Sequence, residues 1–181
     1  MGNLILQFTR SVAVLPILAM GLTSPFVSSD VFQPSSMGAP SVQTETKDEE
    51  RDILAVQAEK IDTYFKDRSM PLYGFGKKMV EEAKEHNLDW RLLPAIAVRE
   101  SSGGKQACGH NPFGWASCKI SFRSFNESIE VLARNLGGDN PNTADYYSTD
   151  STREKLHNYN GTVVPTYPRE VLAIMSNIGD Q

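Results

Sequence analysis

Residues 88–104 constrain this chain more than any other stretch. Leu93, Ile96, Ala97 and Glu100 recur there at spacings of three and four. One helical face therefore carries three apolar side chains and a carboxylate. Asp89 is placed to cap the start of this helix. Pro94 lacks an amide hydrogen, which puts the regular start near Arg91. Ser101-Ser102-Gly103-Gly104 ends it, with a glycine suited to the left-handed cap.

Glu100 thus falls in the last helical turn, on the apolar side. The negative end of the helix dipole and an apolar surround both disfavour its ionised form. A carboxyl that keeps its proton near neutral pH is what a general acid needs. The competing expectation is a structural ion pair with Arg99, Arg91 or another cation, which also perturbs pKa values.

The residues that follow narrow the choice. Glu100-Ser101-Ser102-Gly103-Gly104, then Asn111-Pro112-Phe113-Gly114-Trp115, resembles the lysozyme-like peptidoglycan hydrolases. Soluble lytic transglycosylases carry Glu-Ser-Ser/Gly-Gly at the end of the catalytic helix. The autolysin and flagellar-type glucosaminidases, of endo-β-N-acetylglucosaminidase type, carry Glu-Ser and then Asn-Leu-Phe-Gly, so this chain is similar to them with Pro112 in place of leucine. Phe122 and the run Glu127-Ser128-Ile129 resemble the glucosaminidase segment in which an aromatic turn precedes a helix. Tyr159-Asn160-Gly161, followed by Tyr167 and a helix, is similar to the tail of the soluble transglycosylases. The resemblance covers about residues 60–178. It implies a mostly α, lysozyme-like helical domain that cleaves peptidoglycan glycan strands, with Glu100 as general acid and Tyr159 beside the reacting centre. It also has Tyr167 frame the cleft. By residue type, Phe113, Trp115 and Tyr159 offer flat faces to sugar rings and Asn111 can hold an N-acetyl amide, with Ser101 and Asn160 expected to bind substrate beside them. The front half of the resemblance points to hydrolysis and its tail to an anhydro product.

Glycoside cleavage also needs something to stabilise an oxocarbenium-like centre. Asp139 and Asp145 are the candidates for a second acid, in a loop rich in Gly, Asn and Pro over residues 137–149. Glu127 is better explained as part of a capping box with Ser124. A second such box, Ser151 and Glu154, opens another short helix.

The N-terminus reads as an export signal. Arg10 is the only charged side chain before Asp30, and residues 11–23 are largely apolar but short and interrupted by Pro16. Residues 1–29 are therefore expected to be a signal peptide, or, if uncleaved, a weak membrane anchor. Without them the charge is 17 minus 22, or -5. Residues 30–47 lack apolar periodicity and are expected to be a disordered linker. The lysozyme-like domain is expected over 48–181, in a secreted or cell-envelope monomer.

Export makes the cysteines informative. Cys108 and Cys118 enclose a short loop, which reads as a disulfide in an oxidising compartment. Closing about ten residues stabilises a fold by about 3 kcal/mol in the chain-entropy model. That loop contains Asn111 to Trp115, so the bridge is expected beside the active-site cleft. Two cysteines and three histidines without ligand spacing give no reason to expect a metal, and nothing points to a cofactor. A net charge of -4 argues against nucleic acid as a partner.

Among the remaining elements, residues 48–67 predict an amphipathic helix through Leu54, Ala58, Ile61 and Phe65. Residues 77–86 predict a second, with His86 as a cap, and 168–177 the last. Residues 69–76 predict an apolar turn, packed under the domain or offering aromatics to a ligand.

Overall fold

The computed structural model describes residues 42–180, with side chains from residue 47 onward. The expected signal segment and residues 30–41 of the expected linker lie outside the described residues. Every regular element among the described residues is helical: α1 (Val42–Asp67), α2 (Gly76–Glu85), α3 (Leu92–Ser101), α4 (Phe125–Gly137), α5 (Ala144–Tyr147), α6 (Thr152–Leu156) and α7 (Tyr167–Gly179). The protein is thus mostly α, with one disulfide among these residues.

The predicted central helix is α3. Leu92, Leu93, Ala95, Ile96 and Ala97 are all fully buried, and the helix packs against α7, α2 and α4. Each fully buried Leu or Ile stabilises by about 1.5–3 kcal/mol. Pro94 is its third residue, where an amide hydrogen has no partner within the helix. Asp89 sits two residues before the cap position, Arg91, accepting the Arg91 backbone and guanidinium N–H groups at 2.9 Å. The left-handed end is Ser102 (φ 54°, ψ 46°) rather than a glycine.

Glycine is needed just beyond. Gly103 (φ 66°) lies so close to the apolar turn that a Cβ there would meet Met70 Sδ at 2.5 Å. The Leu72 N–H donates to the Gly103 carbonyl at 3.2 Å, and Leu72 is fully buried. The turn at residues 69–76 therefore lies under the end of α3. Phe75 packs edge-on against Phe125, while Tyr73 stays exposed.

α1 begins at Val42, ahead of the predicted start at residue 48, and its inner face carries Ala58, Ile61 and Phe65 as expected. α4 starts at its predicted cap, where Ser124 Oγ accepts the Glu127 N–H at 3.2 Å. Glu127 reaches back to the Arg123 backbone N–H at 2.6 Å, one residue before the usual partner. Residues 137–149 are more ordered than their composition predicted, because they contain α5. Its anchor is Tyr147, which is buried. Lys155 is buried too, and its ammonium donates to the Leu136 and Tyr147 carbonyls at 2.6 Å each, tying α4 to α5. α6 then runs directly into a π-helical turn, His157–Gly161.

Candidate active site

Glu100 is the penultimate residue of α3, half-buried at one side of a cavity of about 360 Å³. It has no ion pair among the described residues. Arg99, its neighbour in the chain, binds Glu170 at 2.6 Å, and Arg91 binds Asp89 at 2.6 Å. Glu100 Oε1 is closed to solvent and has no hydrogen-bond partner. The other oxygen, Oε2, faces Gly114, where an added Cβ would stand 3.4 Å away.

Opposite, the cavity wall comes from the disulfide loop and the π-helical turn. Phe113, Gly114, Trp115, Ala116, Ser117, Tyr159 and Asn160 line it. Single π turns inside helices are frequent at functional sites. Here the turn brings Tyr159 over the loop, and its hydroxyl donates to the Phe113 carbonyl at 2.5 Å. The Tyr159 ring lies between Trp115 (centroids 5.8 Å apart) and Tyr167 (5.9 Å, stacked). Trp115 also meets Tyr147 at 6.3 Å. Burial, then Glu100, then Tyr147 hold the Tyr159 phenol well above its ordinary pKa. Burial raises Tyr147 to about 12.

Tyr167 is fully buried behind Tyr159. Burial raises its phenol far above the usual range, helped by Tyr159 and by the proximity of Glu100. Yet Tyr167 OH and Glu100 Oε1 complete no hydrogen bond. They are the two buried side-chain polar atoms among the described residues left without a partner. The two atoms face each other closely enough for a hydrogen-bonding contact with Glu100 to raise the Tyr167 phenol, so a small shift of either side chain would pair them.

Two residues expected to touch substrate are committed elsewhere. The Ser101 hydroxyl is buried, donates to the Pro112 carbonyl at 2.6 Å and accepts the Gly104 N–H at 3.0 Å. Asn111 is equally buried. Its amide donates to the Trp115 carbonyl at 2.9 Å and accepts the Trp115 N–H at 3.1 Å. Both hold the loop, and an N-acetyl group would have to displace the backbone of Trp115 to reach Asn111. Asn160, by contrast, lines the cavity.

Neither candidate for a second acid lines the cavity. Asp139 is drawn to His86, whose Nδ1 stands 2.6 Å from its Oδ2. Asp145 is exposed on α5. Among the residues that line the cavity, Glu100 is the one carboxylate. Glu127 is held by Arg123, as its capping position predicted.

Cys108 and Cys118 form the expected disulfide, ten residues apart. The sequence reading missed Ala116 and Ser117, because neither residue type signals what the backbone does there. Both adopt left-handed angles (φ 52° and 54°), and Cys118 follows at 60°. Gly114, at 62°, is the one position in this turn whose residue type gave notice. Among the described residues no cluster of three or more His, Cys, Asp or Glu is placed to hold a metal ion, and no helix is long and apolar enough to cross a membrane.

No family model matches this chain, and neither a curated protein nor a solved structure does.

Proposed function

We propose that this chain is an exported enzyme of lysozyme-like fold that cleaves the glycan strand of peptidoglycan, a glycosidase of endo-β-N-acetylglucosaminidase type with Glu100 as general acid. The observation that carries this reading is Glu100 itself. Among the described residues it is a carboxylate without an ion pair, its buried oxygen beside the Tyr167 hydroxyl without completing a hydrogen bond, at the edge of a cavity walled by Trp115 and Tyr159. A structural carboxylate would have taken up Arg99, which turns to Glu170 instead. Aromatic faces suit the apolar faces of sugar rings, and Asn160 and Ser117, which line the same cavity, can meet their polar edges. The disulfide is compatible with an oxidising compartment, which agrees with a secreted or envelope location. Export through residues 1–29, cleaved or kept as an anchor, belongs to the same proposal.

A second reading draws on a specific feature. Hydrolysis with two carboxylates needs a second acid near the first. Glu100 stands alone in its cavity, which favours attack by the substrate's own hydroxyl and thus lytic transglycosylase chemistry.

Digestion of purified peptidoglycan, with mass analysis of the products, tests both beside Glu100→Gln. That change keeps the shape and removes the transferable proton. Release of muropeptides by the parent alone supports the general acid. Reducing ends identify hydrolysis, and anhydro ends identify transglycosylation. Binding without release by either protein replaces the enzyme with a non-catalytic glycan-binding module.

A further inference from the structure

The cavity wall is built from backbone that L-residues avoid. Ala116 (φ 52°, ψ 35°), Ser117 (φ 54°, ψ 38°) and Cys118 (φ 60°) form three consecutive non-glycine positions in the left-handed region. Left-handed conformations occur routinely as single residues, mostly Gly, Asn or Asp, because Cβ crowds the following carbonyl. A run of three persists only if its surroundings impose it, and such strain collects at ligand-binding segments.

What imposes it can be traced. On the upstream side the Asn111 amide grips both backbone groups of Trp115. On the downstream side, residues 116–121 are all exposed; the Cys118–Cys108 link holds them, together with the Lys119 N–H to the Ala116 carbonyl and, just beyond, buried Phe122, whose carbonyl lies 3.0 Å from His110 Nδ1. Most of the buried core of α3, α4 and α7 lies outside this ten-residue staple, although Phe113 within it is buried against the same core and Pro112 bonds Ser101 at the end of α3. Both cysteines are exposed, so a thiol reductant can reach the bond.

From this we infer that the Cys108–Cys118 disulfide is a redox latch on the cavity wall. Oxidised, it holds Ala116 and Ser117 in the left-handed turn that faces Glu100. A dithiol reductant gives two electrons and two protons, leaves as its own disulfide, and yields the Cys108 and Cys118 thiols. The turn then relaxes toward ordinary backbone angles and the wall opens, while the helices stay folded. The consequence for glycan binding rests on the function proposed above; the release of the turn does not.

Amide hydrogen exchange of the full chain, before and after treatment with dithiothreitol, reads the latch directly. Exchange over residues 114–118 should quicken about tenfold or more on reduction, with α3 and α4 unchanged. In the Ala116→Gly, Ser117→Gly double variant the left-handed turn is no longer strained. Its exchange there should rise less than about threefold. In a Glu100→Gln background, where nothing is cleaved, a β-1,4-linked N-acetylglucosamine tetramer should bind about tenfold more weakly after reduction. Unchanged exchange in the reduced parent would overturn the latch, as would equal loosening in the glycine variant or equal tetramer affinity in both redox forms. If exchange quickens as expected but the oxidised chain binds no tetramer, the latch stands and the glycan reading fails.

Discussion

The Ser101 hydroxyl donates to the Pro112 carbonyl at 2.6 Å, so the residue after Glu100 is bolted to the loop that closes the cavity. The same oxygen accepts the Gly104 N–H, which makes Ser101 the joint between the helix end and the loop. Ser101→Ala leaves the Pro112 carbonyl and Gly104 N–H unpaired beside a buried methyl group. The expected loss is about 1–3 kcal/mol of stability, read as a lower denaturant midpoint at unchanged m-value. Cleavage of glycan should fall with it, through a loosened loop. A variant of parental stability would show that the joint is dispensable.

Gly114 approaches Glu100 Oε2 with backbone angles that favour glycine (φ 62°). An alanine there adds left-handed strain of about 1 kcal/mol. It also sets a methyl 3.4 Å from the carboxylate oxygen. Gly114→Ala should therefore lower the melting temperature modestly and cut turnover far more than that loss of stability explains. Comparison of both at a temperature where each protein is fully folded separates the two effects.

How much of this could be read from residue types follows from what each feature depends on. α3 was legible because its period and its Ser-Ser-Gly-Gly stop are local. The capping boxes at Ser124 and Ser151 are local as well, and both appear. The disulfide needed only the count of cysteines and an argument for export. The isolation of Glu100 was not legible, since it depends on Arg99 choosing Glu170, 71 positions away. Asp139 looked available until the fold brought His86 to it from 53 positions away. Ser101 and Asn111 were read as binders by type, but a short polar side chain that is buried serves the nearest backbone first. α5 spans four residues, too few for any period to show.

Tyr159 provides a separate test of the wall. Its hydroxyl bonds the Phe113 carbonyl at 2.5 Å, while its ring fills the gap between Trp115 and Tyr167. Tyr159→Phe keeps the stack and removes the hydrogen bond, at a cost of about 1 kcal/mol. Tyr159→Ala removes both and should cost about 3–5 kcal/mol, in line with other buried aromatic truncations. Glycan cleavage should drop about tenfold for the phenylalanine variant. Chemical denaturation gives the first pair of numbers and product release the third. A phenylalanine variant as damaging to stability as the alanine would mean that the hydroxyl, not the stack, supports the wall.

Alkaline pH tests the same aromatic cluster from the side of ionisation. Tyr147 is raised to about 12 by burial, and Tyr159 and Tyr167 are likewise held well above the ordinary phenol value. An unfolded phenol ionises near pH 10. Above that value the unfolded chain has released protons that the native chain still holds, so stability falls as pH rises. Lys155 acts with the opposite sign. Burial lowers its folded pKa, so between that value and its ordinary one the unfolded chain binds the extra proton and stability rises. Three raised phenols, joined by Lys78, whose bond to Glu82 raises it, outweigh one lowered amine and set the net direction. The denaturant midpoint should decline steadily from about pH 10 upward. Three of the six tyrosines should show tyrosinate absorbance only as the chain unfolds. Reversible ionisation of all six near pH 10, with the helical circular-dichroism signal intact, would mean that the cluster is open to water and that the cavity wall is not closed as described.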